Sequence, residues 1–354
     1  MTTRSALWRV AAAAVAALSL GSYSANAQDK GKQVYFLSWG GTIQTMLEKE
    51  GWADQFKKDT GYTVTLVPKA TSGEIIATAV AQKDRPQVDV VMCDLIAYLQ
   101  GVDQDIFASL DPAKAPNLNK MLDIAKVRDK GIYTYADILS IIYQEDIFKK
   151  KGWAPPTAWK DLMRPELQGS VIIPPVNNTY GLYTLVELAR MNGGSEQNID
   201  PGFTALKKLA PGVVDWTTTF AKIGTMLQSE SAAIAVFGNA SGWEIKAKGT
   251  PVNVIIPQPA YMSPTVAGVM KNAPNPDGAN VLLNWLIGEK VLAYRAERFG
   301  NTPMNREVKV TGEAKDRVLS GDQLNTLVKL DYEKVLAHRA EWNARFEREI
   351  ATIK

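Results

Sequence analysis

The stretch VYFLSWGGTIQTMLEKEGWADQFKKDTGYTVTLV, residues Val34 to Val67, opens the main body of the chain. Its first apolar run predicts a β-strand that ends at Trp39, where Gly40 and Gly41 precede a helix predicted over Gln44–Lys58. A strand, a glycine turn and a helix present backbone N–H groups at the sheet edge where open α/β folds bind ligands. The pattern therefore indicates a ligand site, and the alternative is a core tryptophan beside an ordinary turn.

The alternation of β-rich runs and amphipathic stretches continues along the chain. Val88–Cys93 is an apolar run, and Leu95–Gln100 follows it as a helical stretch. After Pro155 and Pro156 a second set begins, with the apolar runs GSVIIPP, AAIAVF and VNVIIP. This order is typical of parallel sheets covered by helices on both faces. It predicts an α/β fold of two lobes, each a mainly parallel sheet flanked by helices, joined by hinge strands around a cleft, which is a favoured ligand site.

The first residues have the features of a secretory signal peptide. Arg4 and Arg9 precede an apolar run over Val10–Leu20, and the small-residue sequence ANA ends at Ala27. The apolar run is shorter than the ~20 residues that a membrane-spanning helix needs. We therefore expect residues 1–27 to be cleaved off after Ala27 and the mature protein to be soluble and located in a bacterial periplasm.

Charge and motif content argue against several classes of function. The 40 Lys and Arg residues are scattered and nearly balanced by 37 Asp and Glu residues, so no nucleic-acid-binding surface is predicted. The single cysteine, Cys93, lies in the apolar run VDVVMC and is predicted to be buried. The single histidine, His338, lies in a charged helical stretch, and no G-x-S-x-G elbow, P-loop or metal motif is present. The sequence predicts neither an enzyme nor a bound cofactor.

Several segments, by their order and spacing, resemble the periplasmic solute-binding proteins of ABC importers, specifically the spermidine/putrescine-binding group. They include FLSWGG, VDVVMCD, PPTAWKDLMRPELQGSVIIP, AAIAVFGNASGWEIKAKGTPVNVIIPQ and NAPNPDGANVLLNWLIGEKVLAYRAERFGNTPMN. The resemblance implies a type II periplasmic-binding fold whose lobes close around a small molecule and deliver it to a membrane permease with its ATPase. It implies lobe one over residues 32–137 plus 265–305 and lobe two over residues 138–264 plus 306–354. We expect the protein to be a monomer.

The resemblance also implies pocket positions at the sheet edge of lobe one. These include the end of the first strand, at Ser38, Trp39, Gly40 and Gly41, where Trp39 matches a pocket aromatic of the polyamine binders. Asp94 follows the run VVMC at the end of another strand. Its carboxylate either pairs with a ligand amine or caps the next helix, and both roles are compatible.

At three positions the chain departs from the acidic residues of the polyamine binders. Two pocket acids of those proteins fall on Tyr180 and Tyr183, and a third, in the crossover strand, falls close to Thr265. A buried ammonium without a counter-charge costs several kcal/mol. The nearest acid on the same helix that could restore a polyamine site is Glu187.

The start of that helix and two aromatic residues complete the implied pocket. Asn178 and Thr179 either cap the helix or help its N-terminus to attract a ligand carboxylate. Phe237 matches a family pocket aromatic, and Trp216 could close the wall, although a core position is the alternative for both.

These positions predict a receptor for a small organic amine or zwitterion, such as a γ-aminobutyrate-like or opine-like compound. A polyamine is the second candidate. A ferric ion held by Tyr180 and Tyr183 is the third, and the alternative for two tyrosines at this spacing is a packed helix face. With one His and one Cys in the chain, sites for other transition metals are not expected.

Overall fold

A computed structural model describes residues 31–319 and 321–353 of the 354-residue chain. The predicted signal peptide, residues 1–27, lies outside the described residues. Within the two described ranges, no helix has both the length and the apolar character needed to cross a membrane.

The strands of the described residues belong to one mixed sheet that curls from one half of the molecule into the other. They are β1 (Gln33–Trp39), β2 (Thr63–Lys69), β3 (Val90–Asp94), β4 (Lys126–Val127), β5 (Gly131–Gln144), β6 (Val171–Ile172), β7 (Val213–Asp215), β8 (Ile234–Gly238), β9 (Val252–Ile255), β10 (Met262–Val269) and β11 (Thr302–Pro303). Their order is β2-β1-β3-β10-β5-β8-β6-β7, and β4, β9 and β11 also pair with β5.

The first half of this sheet has its parallel strands where the alternating sequence pattern predicts them. β1 pairs in parallel with both β2 and β3. β10 returns from later in the chain and pairs antiparallel with β3 and with β5. In the second half, β6 pairs in parallel with β7 and β8. β3 and β10 are buried along almost their whole length, and most of their side chains are apolar, as expected of strands covered on both faces.

The 14-residue strand β5 joins the two halves. Residues Ile132–Ile138 pair with β10, and residues Leu139–Tyr143 pair antiparallel with β8. Asn239 supports this change of partner, because its Oδ1 accepts a hydrogen bond from the N–H of Ile138 at 2.7 Å. β5 is therefore the main strand connection between the halves.

Helices cover the sheet and begin, in several cases, at a capping side chain. They are α1 (Gly41–Gln44), α2 (Trp52–Thr60), α3 (Ser72–Ala81), α4 (Leu95–Asp103), α5 (Glu145–Lys151), α6 (Thr179–Met191), α7 (Asp200–Leu209), α8 (Phe220–Gln228), α9 (Asn239–Ala247), α10 (Pro276–Leu286), α11 (Glu289–Phe299) and α12 (Tyr332–Glu349). Thr71, Asp94, Asn178 and Asp331 accept hydrogen bonds from the backbone of the first turns of α3, α4, α6 and α12. His338 lies on α12, in the helical stretch predicted for it.

The helix predicted over Gln44–Lys58 is interrupted. α1 continues into a π-helical turn over Thr45–Lys49, and the chain then turns at Gly51, whose φ is 76°. Glycine adopts this left-handed conformation without the steric cost that a side chain imposes. The backbone conformation of Gly51 thus divides the predicted single helix into two.

Three clusters of buried side chains form the core. The first surrounds the β1–β3–β10 half and includes Phe36, Val91 and Ile138. The second and third lie on opposite faces of the other half, with Leu139 in the second and Ile142 in the third. Cys93 is fully buried in β3, as predicted, and burial raises the pKa of its thiol well above the usual value.

The C-terminal segment contacts both halves. Leu319 and Leu327 pack in the first cluster, whereas Leu330 and Val335 pack in the second. The N–H of Val328 donates to the carbonyl of Ala260 at 2.9 Å, which ties this segment to the chain just before β10. The lobe limits stay a prediction, and the packing shows that the chain passes from the first cluster to the second between residues 327 and 330.

A glycine in the first turn of α6 makes a testable contact. A Cβ on Gly181 would lie 2.2 Å from the carbonyl oxygens of both Pro174 and Pro175. We expect Gly181→Ala to lower the free energy of unfolding by about 1–3 kcal/mol, because backbone atoms cannot move aside as a flexible side chain can. Urea denaturation followed by circular dichroism measures this loss.

The matched control is Gly224→Ala in α8, where a Cβ would make an ordinary 3.5 Å contact with Ile245. This change should raise the free energy of unfolding by about 0.5–1 kcal/mol, because alanine favours a helix interior. Equal effects of the two substitutions would contradict the close packing at Gly181.

Candidate functional site

The turn after β1 has the open geometry that its glycines suggest. Trp39 and Gly40 are partly exposed, and Gly41 is exposed with a φ of 57°. A Cβ on Gly41 would meet no atom within 4 Å, so the space beside this residue is open. Ser38 is fully buried, and its Oγ has no hydrogen-bond partner among the described residues.

Asp94 lies at the end of β3 and begins α4. Its Oδ1 accepts a hydrogen bond from the N–H of Ala97 at 3.0 Å, so its predicted capping role is present. The residue is partly exposed and lies opposite Thr265 of β10, which in turn lies opposite Tyr135 of β5. Asp94 and Thr265 are thus neighbours at the end of the first half-sheet, and the ligand role of Asp94 stays a prediction.

The N-terminus of α6 is formed as the sequence predicts. The Oδ1 of Asn178 accepts a hydrogen bond from the N–H of Tyr180 at 2.9 Å, and Thr179 is the first helical residue. Arg339 of α12 donates to the carbonyl of Asn177 at 3.0 Å, which places a guanidinium just before the helix start. A helix N-terminus and a guanidinium both favour a negatively charged group nearby.

Tyr180 and Phe237 meet at the boundary between the two halves. Their ring centroids are 4.6 Å apart, and the Tyr180 hydroxyl donates to Oδ2 of Asp137 at 3.0 Å. Burial raises the pKa of the Tyr180 phenol well above its usual value, and the Asp137 carboxylate raises it further. A Cβ on Gly238 would lie 2.4 Å from the Tyr180 hydroxyl, so glycine at this position permits the contact.

Tyr183 and Trp216 pack elsewhere, in the second core cluster. Tyr183 is fully buried, stacks on Tyr261 with centroids 5.8 Å apart, and has its hydroxyl 3.5 Å from that of Tyr332. Trp216 packs edge-on against Phe346 of α12 at 5.0 Å. Both contacts match the core alternative that the sequence left open.

Glu187 also has a partner within this core. Its Oε2 accepts a hydrogen bond from the Tyr261 hydroxyl at 2.6 Å, and the side chain is only 4% exposed. Burial raises the pKa of the Glu187 carboxyl, and the hydrogen bond from Tyr261 opposes this effect.

Asp137, in the middle of β5, is the acidic residue that sequence reasoning missed. Besides Tyr180, the side-chain amide of Asn301 donates to its carboxylate, through Oδ1. Burial raises the pKa of the Asp137 carboxyl, and the hydrogen bond from Tyr180, the charge of Arg295 and the hydrogen bond from Asn301 oppose that shift. Its sequence signal is simple, because Asp137 is the single charged residue in the apolar stretch GIYTYADILSIIYQ.

Arg295 forms the other end of this network. It is 3% exposed, donates to Oδ1 of Asn301 at 2.7 Å, and lies with its guanidinium carbon 3.8 Å from the centroid of Tyr135. The Asn301 amide thus links Arg295 to Asp137, accepting from the guanidinium and donating to the carboxylate. Arg295 and Asp137 are therefore connected by two hydrogen bonds through this amide and not by a direct ion pair.

Across residues 31–319 and 321–353, no group of three or more His, Cys, Asp or Glu side chains is arranged to hold a metal ion. The polar groups at the boundary between the halves are the carboxylate, phenol, amide and guanidinium described above, which form hydrogen bonds to one another.

The sequence and fold of the chain match one protein family. A family model for bacterial extracellular solute-binding protein matches residues 51–319. The spermidine/putrescine-binding periplasmic protein of Escherichia coli strain K12 is 25% identical over 300 residues, which cover 81% of each protein. An ABC transporter substrate-binding protein from Bradyrhizobium japonicum has a TM-score of 0.76 at 19% identity, covering 90% of this chain and 99% of that one. A solved structure named the Atu4243-GABA receptor has a TM-score of 0.75 at 20% identity, covering 91% of this chain and 98% of that one.

These matches confirm the predicted two-lobed type II fold and the predicted family. The curated relatives are periplasmic, which supports the predicted compartment. Proteins of this family bind small molecules and work with a membrane permease and its ATPase. The chain therefore belongs to the bacterial extracellular solute-binding proteins, and it is a solute-binding receptor of an ABC importer rather than an enzyme.

Proposed function

We propose that this receptor captures a small organic amine or zwitterion, γ-aminobutyrate-like or opine-like, in the cleft between its lobes. The observation that carries the proposal is the charge balance at the boundary between the halves. Asp94 and Asp137 are partly exposed carboxylates, and Arg295 is a buried cation linked to Asp137 through Asn301. These groups leave one negative charge in excess, which suits a ligand with one ammonium group.

A negatively charged end of the ligand also has a suitable environment. The first turn of a helix has backbone N–H groups that the helix itself does not use, and in α6 Asn178 accepts from one of them. Arg339 donates to the carbonyl of Asn177, just before this turn. A ligand whose ammonium group lies near Asp94 and Asp137 and whose own carboxylate lies near the start of α6 is a zwitterion. The ligand would then contact elements of both lobes.

A polyamine is the main alternative. The Escherichia coli relative is named for binding spermidine and putrescine, and its identity of 25% leaves room for a different ligand. A diamine carries two charges, and the single excess negative charge neutralises one of them. The ferric-ion alternative has less support, because the Tyr180 hydroxyl donates to Asp137 and Tyr183 is fully buried.

We also propose that the precursor is cleaved after Ala27 and that the mature receptor is a monomer. The residue pattern of positions 1–27 and the periplasmic relatives support the first part. The second part follows from the resemblance to the polyamine-binding group.

Calorimetry with γ-aminobutyrate, putrescine, spermidine and ferric citrate tests the ligand class. We expect the zwitterion to bind more tightly than either polyamine, because the second ammonium of a polyamine would lack a counter-charge. Submicromolar binding of spermidine without a response to the zwitterion would contradict the proposal. Mass spectrometry of small molecules released from the denatured protein supplies an unbiased check.

Trp39→Ala tests whether the turn after β1 contributes to binding. We expect ligand affinity to weaken by about 1–3 kcal/mol with the fold preserved, because an aromatic contact is lost. The matched control is Tyr35→Ala, an aromatic residue on the same strand that is 40% exposed. Equal affinity of the Trp39 variant and the parent protein would remove Trp39 from the site.

Small-angle scattering tests closure of the lobes. A ligand shifts the equilibrium between open and closed forms only by its difference in affinity for them, so it must contact both lobes. We therefore expect a smaller radius of gyration at saturation and no change with a compound that calorimetry shows not to bind. An unchanged curve with a saturating ligand would argue against a hinged closure.

A further inference from the structure

We propose that Asp137 is the residue that receives the ammonium group of the ligand, and that Tyr180, Asn301 and Arg295 position its carboxylate. This assignment rests on the proposed function of the receptor and names the group within the cleft that selects for amines.

The location of Asp137 is the first argument. The next two residues of β5 belong to different cores, because Ile138 packs in the first cluster and Leu139 in the second. The carboxylate contacts Tyr180, at the start of α6, and Asn301, directly after α11. A ligand group bound to Asp137 would therefore lie at the crossover of the chain, between elements of both halves.

The charge of Asp137 is the second argument. Its two hydrogen-bond donors, the Tyr180 hydroxyl and the Asn301 amide, are both neutral, and none of the ion pairs among the described residues includes it. The positive charge of Arg295 acts on Asp137, and Asn301 lies between the Arg295 guanidinium and the Asp137 carboxylate. A deeply set carboxylate without a direct cation gains a strong, charge-assisted hydrogen bond when an ammonium arrives.

The space around the carboxylate is the third argument. A carboxylate offers about four acceptor positions, and the two donors named above occupy two of them. Asp137 remains partly exposed, so part of its carboxylate is accessible from outside the protein. The absence of a side chain on Gly238 makes room for the Tyr180 hydroxyl beside Oδ2, since a Cβ there would lie 2.4 Å from that hydroxyl. The ring of Tyr180, whose hydroxyl contacts Oδ2 and which packs against the buried ring of Phe237, lies beside the carboxylate and offers an aromatic surface to an alkyl-ammonium.

Asp94 is the competing residue for this role. One of its oxygens already accepts the capping hydrogen bond of α4, and it lies at the end of β3 rather than at the crossover of β5. Asparagine is also a good helix cap, so Asp94→Asn removes the charge and keeps the cap. The two aspartates can therefore be separated by experiment.

The experiment compares γ-aminobutyrate and putrescine with butyrate, which lacks an amine, by calorimetry on the parent protein, Asp137→Asn and Asp94→Asn. We expect Asp137→Asn to weaken both amines at least about 30-fold and to leave butyrate unchanged, because a buried charge pair is lost. The matched control is Glu187→Gln, which alters another carboxylate that accepts from a tyrosine, in the core. It should leave amine affinity unchanged.

A second variant keeps the assignment testable where Asp137→Asn does not fold. Tyr180→Phe keeps the charge and removes a hydrogen bond that stabilises the ionised form. Amine binding needs ionised Asp137, so affinity falls as the pH falls through the pKa of this carboxyl. Removing the hydrogen bond raises the pKa of Asp137, so we expect the loss of amine affinity to begin at a higher pH in Tyr180→Phe than in the parent protein. The other groups around the carboxylate, Arg295, Tyr135 and Asn301, are the same in both proteins.

The outcomes are distinct. Amine binding that survives Asp137→Asn, or that Asp94→Asn alone abolishes, would overturn the assignment and leave the proposed function standing. A parent protein that binds no amine would overturn both. Equal weakening of butyrate and the amines, or an unshifted pH profile in Tyr180→Phe, would show that Asp137 acts only on the structure.

Discussion

The cleft depends on one strand, β5, whose backbone hydrogen bonds are shared between both halves of the molecule. Along one edge its partner changes from β10 to β9, and along the other from β11 to β8. At this second change the N–H of Ile138 would lack a strand partner, and the Asn239 side chain accepts from it instead. Because buried backbone groups must be paired, the strand cannot separate from either half without a large cost. A relative movement of the halves that kept these hydrogen bonds would be a rotation about the crossover.

The same constraint explains why Asp137 lies where it does. A charged side chain on a strand buried in both halves is best accommodated where the cores end, since a charge within either core would lack partners. Asp137 lies close to that point, two residues before Leu139, at which the second core begins on this strand. Side chains that reach it must come from the ends of neighbouring elements, and Tyr180 and Asn301 do so. The crossover therefore brings polar groups from distant parts of the chain to one place.

Much of the fold could be predicted from local sequence, and the site could be predicted only in part. Buried parallel strands require continuous apolar runs, so β1 and β3 were recognisable without any long-range information. The capping roles of Asp94 and Asn178 are likewise local, because each accepts from a backbone N–H two or three residues away. Whether the Tyr183 side chain lies in the cleft or in the core could not be predicted from its spacing to Tyr180, because both faces of α6 are largely buried.

Asp137 shows a different limit. Its charge within an apolar run was visible, but its meaning depends on Asn301, which is 164 residues further along the chain. Such a contact follows from the return of the chain through β10 and α11, and no local pattern encodes it. The π-helical turn before Gly51 is also not visible in the sequence. The helical spacing of apolar residues continues through this segment, whereas the α-helical backbone conformation is interrupted there.

The amide between Arg295 and Asp137 decides what the carboxylate can still do. A direct, bidentate ion pair would occupy both carboxylate oxygens and leave little attraction for a second cation. Asn301 instead donates one hydrogen bond to the carboxylate and accepts one from the guanidinium of Arg295. Arg295 is only 3% exposed and packs against the ring of Tyr135. The distant positive charge helps to keep Asp137 ionised against the effect of burial, while the remaining oxygen positions stay open. An anion that is stabilised at a distance but not neutralised in contact is suited to bind a cation that arrives and leaves, as the cargo of a transport receptor must.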